Sequence, residues 1–255
     1  MTSVIVILLW IATTAAAQNS PSQAEQQQIL EQARALALQY SADLPNFICT
    51  ETIVRSSMDK KSQSWKALDK LTLDLAYSSQ KGESYKLLTI DDKPTRKTFG
   101  RVGGMSSSGD FGSILEWIFR PKSETNFKWE QSADVNGRTV HVFSYRVEKE
   151  HSDYRMVWNS KSANPGFEGQ VYIDKETHRV LRATYRPDSI PADWSLASLS
   201  SELSYGHEEI NGQRFLLPLH AEMLTQIKDG TQLHNVMDYT SYRKFSSELI
   251  LNFEP

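Results

Sequence analysis

Three histidines on predicted strands are the residues of this sequence with the most versatile chemistry. His141, His220 and His234 each lie in an alternating run of the kind that forms a β-strand. A folded sheet could bring them together as bases or metal ligands, because imidazole titrates near neutral pH and binds metals readily. Spacing alone does not bring them together, and single strand histidines are more often hydrogen-bonded structural or surface residues. A hydrolase that uses these histidines is therefore the least favoured hypothesis.

Other catalytic patterns are incomplete. In the segment His207–Asn211 the position where a zinc motif needs its second histidine is Asn211, and the segment precedes a turn. The Gly/Ser-rich segment 104–109 lacks the Gly-Lys-Ser/Thr sequence of a phosphate-binding loop. The adjacent carboxylates Asp91 and Asp92 face different ways on a turn, whereas acid–base catalysis needs groups that face one substrate. We expect no metal and no cofactor, and the sequence favours a non-catalytic protein without settling the question of activity.

A short apolar helix is the strongest functional candidate. It is predicted over 110–120, and its apolar residues recur at the i, i+3, i+4 and i+7 spacing of one helical face. Those residues are Phe111, Ile114, Leu115 and Ile118. Placed within a series of strands, such a helix could cover the mouth of a curled sheet and open an apolar cavity by moving. A permanently packed core helix has the same pattern and remains the alternative.

Strands joined by polar turns are predicted to position this helix. In Gly169–Tyr185, two alternating runs flank the turn Lys175–Arg179, which is a typical hairpin. Asn136-Gly137 and Asn211-Gly212 indicate further hairpins, and Pro218 inside an alternating run requires an edge strand or a bulge. About ten or eleven strands are predicted in an antiparallel meander. Because open sheets rarely exceed about ten strands, we expect a mainly β (α+β) fold with a large curved antiparallel sheet or incomplete barrel.

A long helix is predicted before the strands, over about 21–41. Pro21 suits a first helical position, and an apolar stripe follows at helical spacing through Ile29, Ala33, Leu36 and Tyr40. The helix is expected to end before Leu44-Pro45, because the residue before proline disfavours helical backbone. One apolar face opposite a Gln-rich face indicates that this helix packs on the sheet.

The first residues are predicted to be a secretory signal peptide. Val4–Trp10 form a short apolar run, and Ala15–Ala17 resemble a cleavage site, which gives a signal peptide over 1–17. The expected mature chain, 18–255, is one domain, periplasmic or secreted, without a transmembrane anchor. Cys49 is the only cysteine, so no internal disulfide can form, and we expect a buried, inert thiol.

The charge of the chain argues against a nucleic-acid partner. Its 28 Lys and Arg and 31 Asp and Glu give a net charge of −3, and the cations are scattered rather than clustered. Nucleic-acid-binding domains carry a basic patch or stripe. We therefore expect no nucleic acid among the partners.

Four segments resemble a family of uncharacterised secreted bacterial proteins. They are Leu44–Glu51, Gly103–Phe119, Val142–Val147 and Val171–Leu181. More loosely, the hairpin around Tyr172-Ile173-Asp174 and the order of elements are similar to the periplasmic lipoprotein-carrier (LolA/LolB-like) superfamily. That resemblance implies a curved, incomplete antiparallel barrel that holds acyl chains under a helical lid.

The leading hypothesis is a secreted or periplasmic, non-catalytic binding or carrier module. Its ligand would be lipid-like or otherwise amphiphilic and would occupy a cavity of the curved sheet, with Phe111, Ile114, Leu115 and Ile118 as the movable apolar cover. The alternative is an envelope protein–protein interaction or scaffold domain without a cavity, which would present an exposed strand edge or apolar patch.

Overall fold

The computed structural model describes residues 20–59, 62–102, 112–158 and 161–244. Within these ranges the helices are α1 (Gln23–Asp43) and α2 (Ser113–Phe119). The strands are β1 (Phe47–Met58), β2 (Trp65–Ser78), β3 (Gly82–Ile90), β4 (Lys93–Pro94), β5 (Asn126–Val135), β6 (Arg138–Val147), β7 (Met156–Trp158), β8 (Lys161–Ala163), β9 (Phe167–Asp174), β10 (Val180–Pro187), β11 (Leu196–Ile210), β12 (Gln213–Ile227) and β13 (Gln232–Lys244). None of the described helices is long and apolar enough to span a membrane.

Eleven strands form one antiparallel sheet that does not close into a barrel. Their order is β4-β3-β2-β1-β13-β12-β11-β10-β9-β6-β5, and β7 and β8 form a separate ribbon. The sheet confirms the predicted fold class and strand number. The first and last long strands, β1 and β13, pair in the middle, so β4 and β5 are its two edges.

The predicted turn residues set the hairpins. Asn136-Gly137 and Asn211-Gly212 have φ values of 52° and 78°, and of 51° and 78°, the left-handed conformations that a two-residue hairpin turn requires. Pro218 lies at a register shift between β11 and β12, where Ser204 pairs with His220 and the next residue of β11 pairs with Pro218. Of the two predicted alternatives, an edge strand or a bulge, the structure therefore shows the bulge.

Helix α1 begins two residues later than predicted. Ser22 rather than Ser20 caps it: the Ser22 hydroxyl accepts from the Glu25 amide, and the Glu25 carboxylate accepts from the Ser22 amide at 2.7 Å. This reciprocal capping box satisfies two backbone donors and therefore fixes the start after Pro21. At the other end the helix runs to Asp43, and Leu44 is extended as expected before proline.

Side-chain alternation divides the sheet into two faces, and we call the face that the helices cover the inner face. It is defined by a row of directly paired residues that crosses from β2 to β6, none of them more than 4% exposed: Leu71, Ile53, Met237, Ala221, Leu203, Ala183, Val171 and Phe143. Helix α1 buries a matching stripe of Ile29, Ala33, Ala37 and Tyr40. The Tyr40 ring meets Tyr205 of β11 edge to face, with centroids 5.9 Å apart. The opposite side is the outer face.

Candidate functional site

Helix α2 buries the apolar residues that were predicted to form a cover. Ile114, Leu115 and Ile118 are 3%, 2% and 0% exposed, whereas Phe111 lies outside the described residues. The helix is shorter than the predicted 110–120 and begins after Gly112, whose φ of 129° favours glycine. Three buried aliphatic side chains contribute roughly 1.5–3 kcal/mol each. Helix α2 is therefore packed into the hydrophobic core.

A chain of aromatic rings connects α2 to the sheet. Phe119 stacks on Phe127 of β5 with centroids 5.4 Å apart, and Phe127 lies 6.3 Å from Tyr145 of β6. Tyr145 meets Phe167 of β9 edge to face at 5.9 Å, and Phe167 lies 5.5 Å from Tyr154. Offset and edge-to-face contacts of this kind add to simple area burial. They hold the C-terminal end of α2 against the β5–β6–β9 part of the inner face.

The inner face also carries polar side chains near the ends of β1 and β2. Arg55 binds Asp69 through two hydrogen bonds of 2.7 and 2.6 Å, and the two side chains are only 13% and 18% exposed. Thr225 and Asn235 are buried on the neighbouring strands. Buried ion pairs and amides are weak sources of stability. Their presence makes the inner face amphipathic rather than uniformly apolar.

Four buried polar atoms on the helix-covered side have no hydrogen-bond partner among the described residues. They are Tyr40 Oη, Trp129 Nε1, His141 Nδ1 and Ser201 Oγ. Trp129 is paired with Phe143 of the inner face. Strand alternation places His141 and Ser201 on the same side as the core residues of β6 and β11. An unsatisfied buried donor or acceptor costs about 1–3 kcal/mol.

A cavity of about 580 Å³ opens on the outer face above β5, β6, β9, β10 and β11. Most of its lining comes from the positions that alternate with the core residues, namely Lys128, Ser144, Arg146, Glu168, Gln170, Thr184, Arg186 and Ser200. Tyr145, Tyr185 and Ser201, which belong to the inner-face positions of their strands, also border it. A second cavity of about 360 Å³ shares Arg146, Glu168 and Arg186. Together they form one groove across the strands, which we call the outer groove. Sequence reasoning missed it, although Arg146 lies between the buried Tyr145 and Val147, and Glu168 follows the buried Phe167.

The floor of the outer groove is an interruption in the pairing of β9 with β10. Pairs exist at Ala183/Val171 and at Arg186/Glu168 but not between them. In the gap the backbone N–H of Gln170 donates to Thr184 Oγ1 at 2.9 Å, and the Tyr145 hydroxyl donates to the backbone carbonyl oxygen of Thr184 at 2.8 Å. A Cβ on Gly169 would lie 1.9 Å from that carbonyl oxygen. Only glycine permits this close approach of the two backbones.

The structure brings two of the three strand histidines together, on the outer face. His220 Nε2 and His234 Nε2 lie 3.1 and 2.9 Å from the two carboxylate oxygens of Glu222, and His220 Nδ1 lies 2.7 Å from Asp238. Burial would lower the pKa of His220, but the hydrogen bonds to Asp238 and Glu222 outweigh it and raise that pKa. Both ring nitrogens of His220 contact carboxylates, so neither activates a hydroxyl or thiol.

His141 lies apart from this pair, on the inner face of β6. Burial, together with the charge of Lys175, lowers the pKa of its imidazole. Cys49 is fully buried on β1, and burial together with Glu51 raises the pKa of its thiol. No group of His, Cys, Asp and Glu within the described ranges could hold a metal ion.

No protein-family model and no curated protein matches this chain. Solved structures do match. A LolA superfamily protein from Nitrosomonas europaea is 13% identical with a TM-score of 0.40, and the match covers 88% of this chain and 96% of that one. A Vibrio parahaemolyticus domain named as an outer membrane lipoprotein-sorting protein is 12% identical, with coverages of 88% and 97% and a TM-score of 0.45.

A DUF1329 family protein from Desulfovibrio piger is also similar, at 12% identity, coverages of 86% and 94%, and a TM-score of 0.39. These matches bear out the distant resemblance to the lipoprotein-carrier superfamily that the sequence indicated. At these TM-scores they carry no argument about a ligand or a partner. The class is therefore defined by the molecule itself: an open, eleven-stranded antiparallel sheet with two helices on one face.

Proposed function

We propose that the protein is a non-catalytic binding or carrier module for an amphiphilic ligand, and that the ligand's apolar part lies between the inner face and α2. The observation that carries this proposal is the set of unpartnered buried polar atoms on the helix-covered side: Tyr40 Oη, Trp129 Nε1, His141 Nδ1 and Ser201 Oγ. A permanently solid core gains nothing from such atoms, since each is costly to leave unsatisfied. A ligand with both apolar and polar groups would satisfy them.

The described position of α2 is the closed form in this proposal. Opening it would expose Ile114, Leu115 and Ile118, at a cost of roughly 5–9 kcal/mol for three aliphatic side chains. An acyl chain contributes about 0.8 kcal/mol per buried methylene, so about ten methylenes would offset the exposure. The ligand is therefore a long-chain amphiphile, and short-chain acids should bind weakly. Residues 18–255 would act as one module in the periplasm or outside the cell after removal of 1–17.

Fluorescence titration with dansyl-labelled undecanoic acid tests the proposal. The wild-type protein should bind the probe saturably, with the blue shift of a dansyl group in an apolar site. Ile118→Ala should accelerate association, because it loosens the packing of α2. Ile48→Ala is the matched control, since Ile48 is also buried, at 5% exposure, but faces away from the helices on β1.

Two results would refute the carrier proposal. One is the absence of saturable binding by the wild-type protein. The other is an association rate for Ile118→Ala that equals that of Ile48→Ala, which would mean that α2 does not control entry. Absence of binding would leave the scaffold alternative, in which α2 is a permanent part of the core.

A further inference from the structure

We propose that the outer groove is a second binding site, separate from the inner face, and that it takes a neutral oligosaccharide. The groove lies on the side of the sheet opposite α1 and α2. Its larger part, of about 580 Å³, falls within the 300–1,000 Å³ of typical ligand pockets. The adjoining part of about 360 Å³ continues it across the strands. The shape therefore suits an elongated ligand of linked rings.

The charges of the groove exclude a simple anion. Arg146 binds Glu148 at 2.7 Å and both Glu168 and Asp188 at 3.0 Å. Arg186 binds Glu168 at 2.5 Å, and Lys128 lies 3.2 Å from Glu130. Each cation thus already has a carboxylate, and an anionic ligand would have to displace it. Vicinal hydroxyls can instead donate to the carboxylates and accept from the guanidinium groups at the same time.

Neutral hydrogen-bonding groups lie between these ion pairs. Gln170 Oε1 accepts from the Tyr172 hydroxyl at 2.9 Å, and the Gln170 NH₂ group makes no hydrogen bond within the described part of the chain. Ser200 is exposed at the groove, and the Ser144 hydroxyl donates to Glu130 at 2.7 Å. Amide and hydroxyl groups next to Arg–Glu pairs recognise a polyhydroxylated ligand through many modest bonds of about 0.5–1.5 kcal/mol each.

The position of the groove disfavours an extended peptide. Peptides that extend a sheet bind to a strand edge, where backbone groups are unpaired. The groove instead lies on the face of the sheet, from the edge strand β5 across β6, β9, β10 and β11, and each of the last four strands has a neighbour on both sides. Recognition there must come from side chains, which suits linked sugar rings better than a peptide backbone.

A glycan array followed by calorimetry with the best soluble hit tests the site. A neutral oligosaccharide should bind, with an affinity that hardly changes when NaCl is raised, because no counterions are released. Gln170→Ala and Ser200→Ala should each weaken binding by about tenfold, the loss of roughly 1.4 kcal/mol. Gln226→Ala is the matched control, since Gln226 is exposed on the outer face of β12, away from the groove. This variant should bind the oligosaccharide with wild-type affinity.

Three outcomes would overturn this inference. The first is that the protein binds no neutral glycan on the array. The second is selective binding of anionic glycans that salt abolishes. The third is equal affinity of the Gln170→Ala and Gln226→Ala variants for the oligosaccharide. Binding of the dansyl-labelled fatty acid to the inner face should be unaffected by Gln170→Ala. The two sites can therefore succeed or fail independently.

Discussion

The hydroxyl of Tyr145 donates a 2.8 Å hydrogen bond to the backbone carbonyl of Thr184, across Gly169. Tyr145 and Gly169 are paired residues of β6 and β9, and Thr184 lies on the next strand, β10. The tyrosine thus spans β9 at the position where β9 and β10 lose their regular pairing. The Tyr145 ring belongs to the chain of aromatic rings that contacts α2, whereas Gly169 and Thr184 lie at the floor of the outer groove.

A side chain at Gly169 should disrupt this contact. Gly169→Ala would place a Cβ 1.9 Å from Thr184 O, a backbone atom that cannot rotate away. We expect a loss of about 2–3 kcal/mol, the upper part of the range for overpacking, measured by urea denaturation. Gly100→Ala is the control, because nothing lies within 4 Å of its Cβ position. Equal stability of the two variants would show that β9 and β10 can separate freely at this position.

The pair formed by Arg138 and Asp174 should make stability depend on pH. Two hydrogen bonds from Arg138, at 2.6 and 2.8 Å, and others from Thr177 hold the pKa of Asp174 far below its usual range despite burial. Because its pKa is lower in the folded protein, the ionised Asp174 stabilises the fold at pH values above its unfolded pKa of about 3.9. This stabilisation is lost as the pH falls from that value through the folded pKa. Asp174→Ala should therefore cost about 3 kcal/mol at neutral pH, near the low end for buried pairs because Arg138 is 38% exposed.

Denaturation of this variant over a pH series checks the prediction. The difference from the wild type should shrink below about pH 4. Asp193→Ala, which removes the exposed partner of Lys161, is the control and should change stability little. A constant penalty for Asp174→Ala from neutral pH to acid would mean that packing, not ionisation, accounts for the effect.

Glu222 should raise the pKa of His220. Its carboxylate accepts from both His220 and His234, and together with Asp238 it overcomes the effect of burial on His220. Glu222→Gln should lower the pKa of His220 in an NMR titration while leaving His141 unchanged. A raised folded pKa contributes stability below the unfolded value of about 6.5, which is lost as the pH rises through the folded pKa. The variant should thus lose more stability in mild acid than in base, and an unchanged His220 titration would contradict this network.

Cys49 should react only when the protein unfolds. It is 0% exposed, and burial raises the pKa of its thiol, so the reactive thiolate is scarce. In native buffer, labelling with a chromogenic disulfide should be more than about a thousandfold slower than in denaturant, because global unfolding costs roughly 5–15 kcal/mol. Fast native labelling, or a disulfide-linked dimer on non-reducing gels, would contradict this prediction.

Local patterns in the sequence account for much of the fold. Alternation predicts the strands, and Asn136-Gly137 and Asn211-Gly212 form the expected hairpin turns because their backbones adopt the required left-handed conformations. Pro218 correctly indicates a bulge, since proline cannot donate to a strand ladder. The start of α1 differs from the prediction because two serines fit the capping-box pattern, Ser20 with Gln23 and Ser22 with Glu25. The structure forms the capping box at Ser22.

The outer groove and the polar networks of the sheet depend on contacts between residues that are far apart in sequence, and local sequence patterns do not contain this information. Arg138 and Asp174 are 36 residues apart, and Arg146 and Asp188 meet only because β6, β9 and β10 are neighbours in register. The same holds for His220 and His234, which Glu222 joins across β12 and β13. The apolar spacing of Ile114, Leu115 and Ile118 indicates their burial but cannot distinguish a movable cover from a fixed helix.

Displacement of the dansyl-labelled fatty acid by unlabelled octanoate, laurate and palmitate tests the central claim most directly. If a long acyl chain replaces the contacts of α2 with the inner face, palmitate should compete strongly and laurate less so. Octanoate should compete hardly at all, because it has too few methylenes to offset the exposure of three aliphatic side chains. Failure of all three acids to compete, or equal competition by octanoate and palmitate, would contradict binding of an acyl chain between α2 and the inner face.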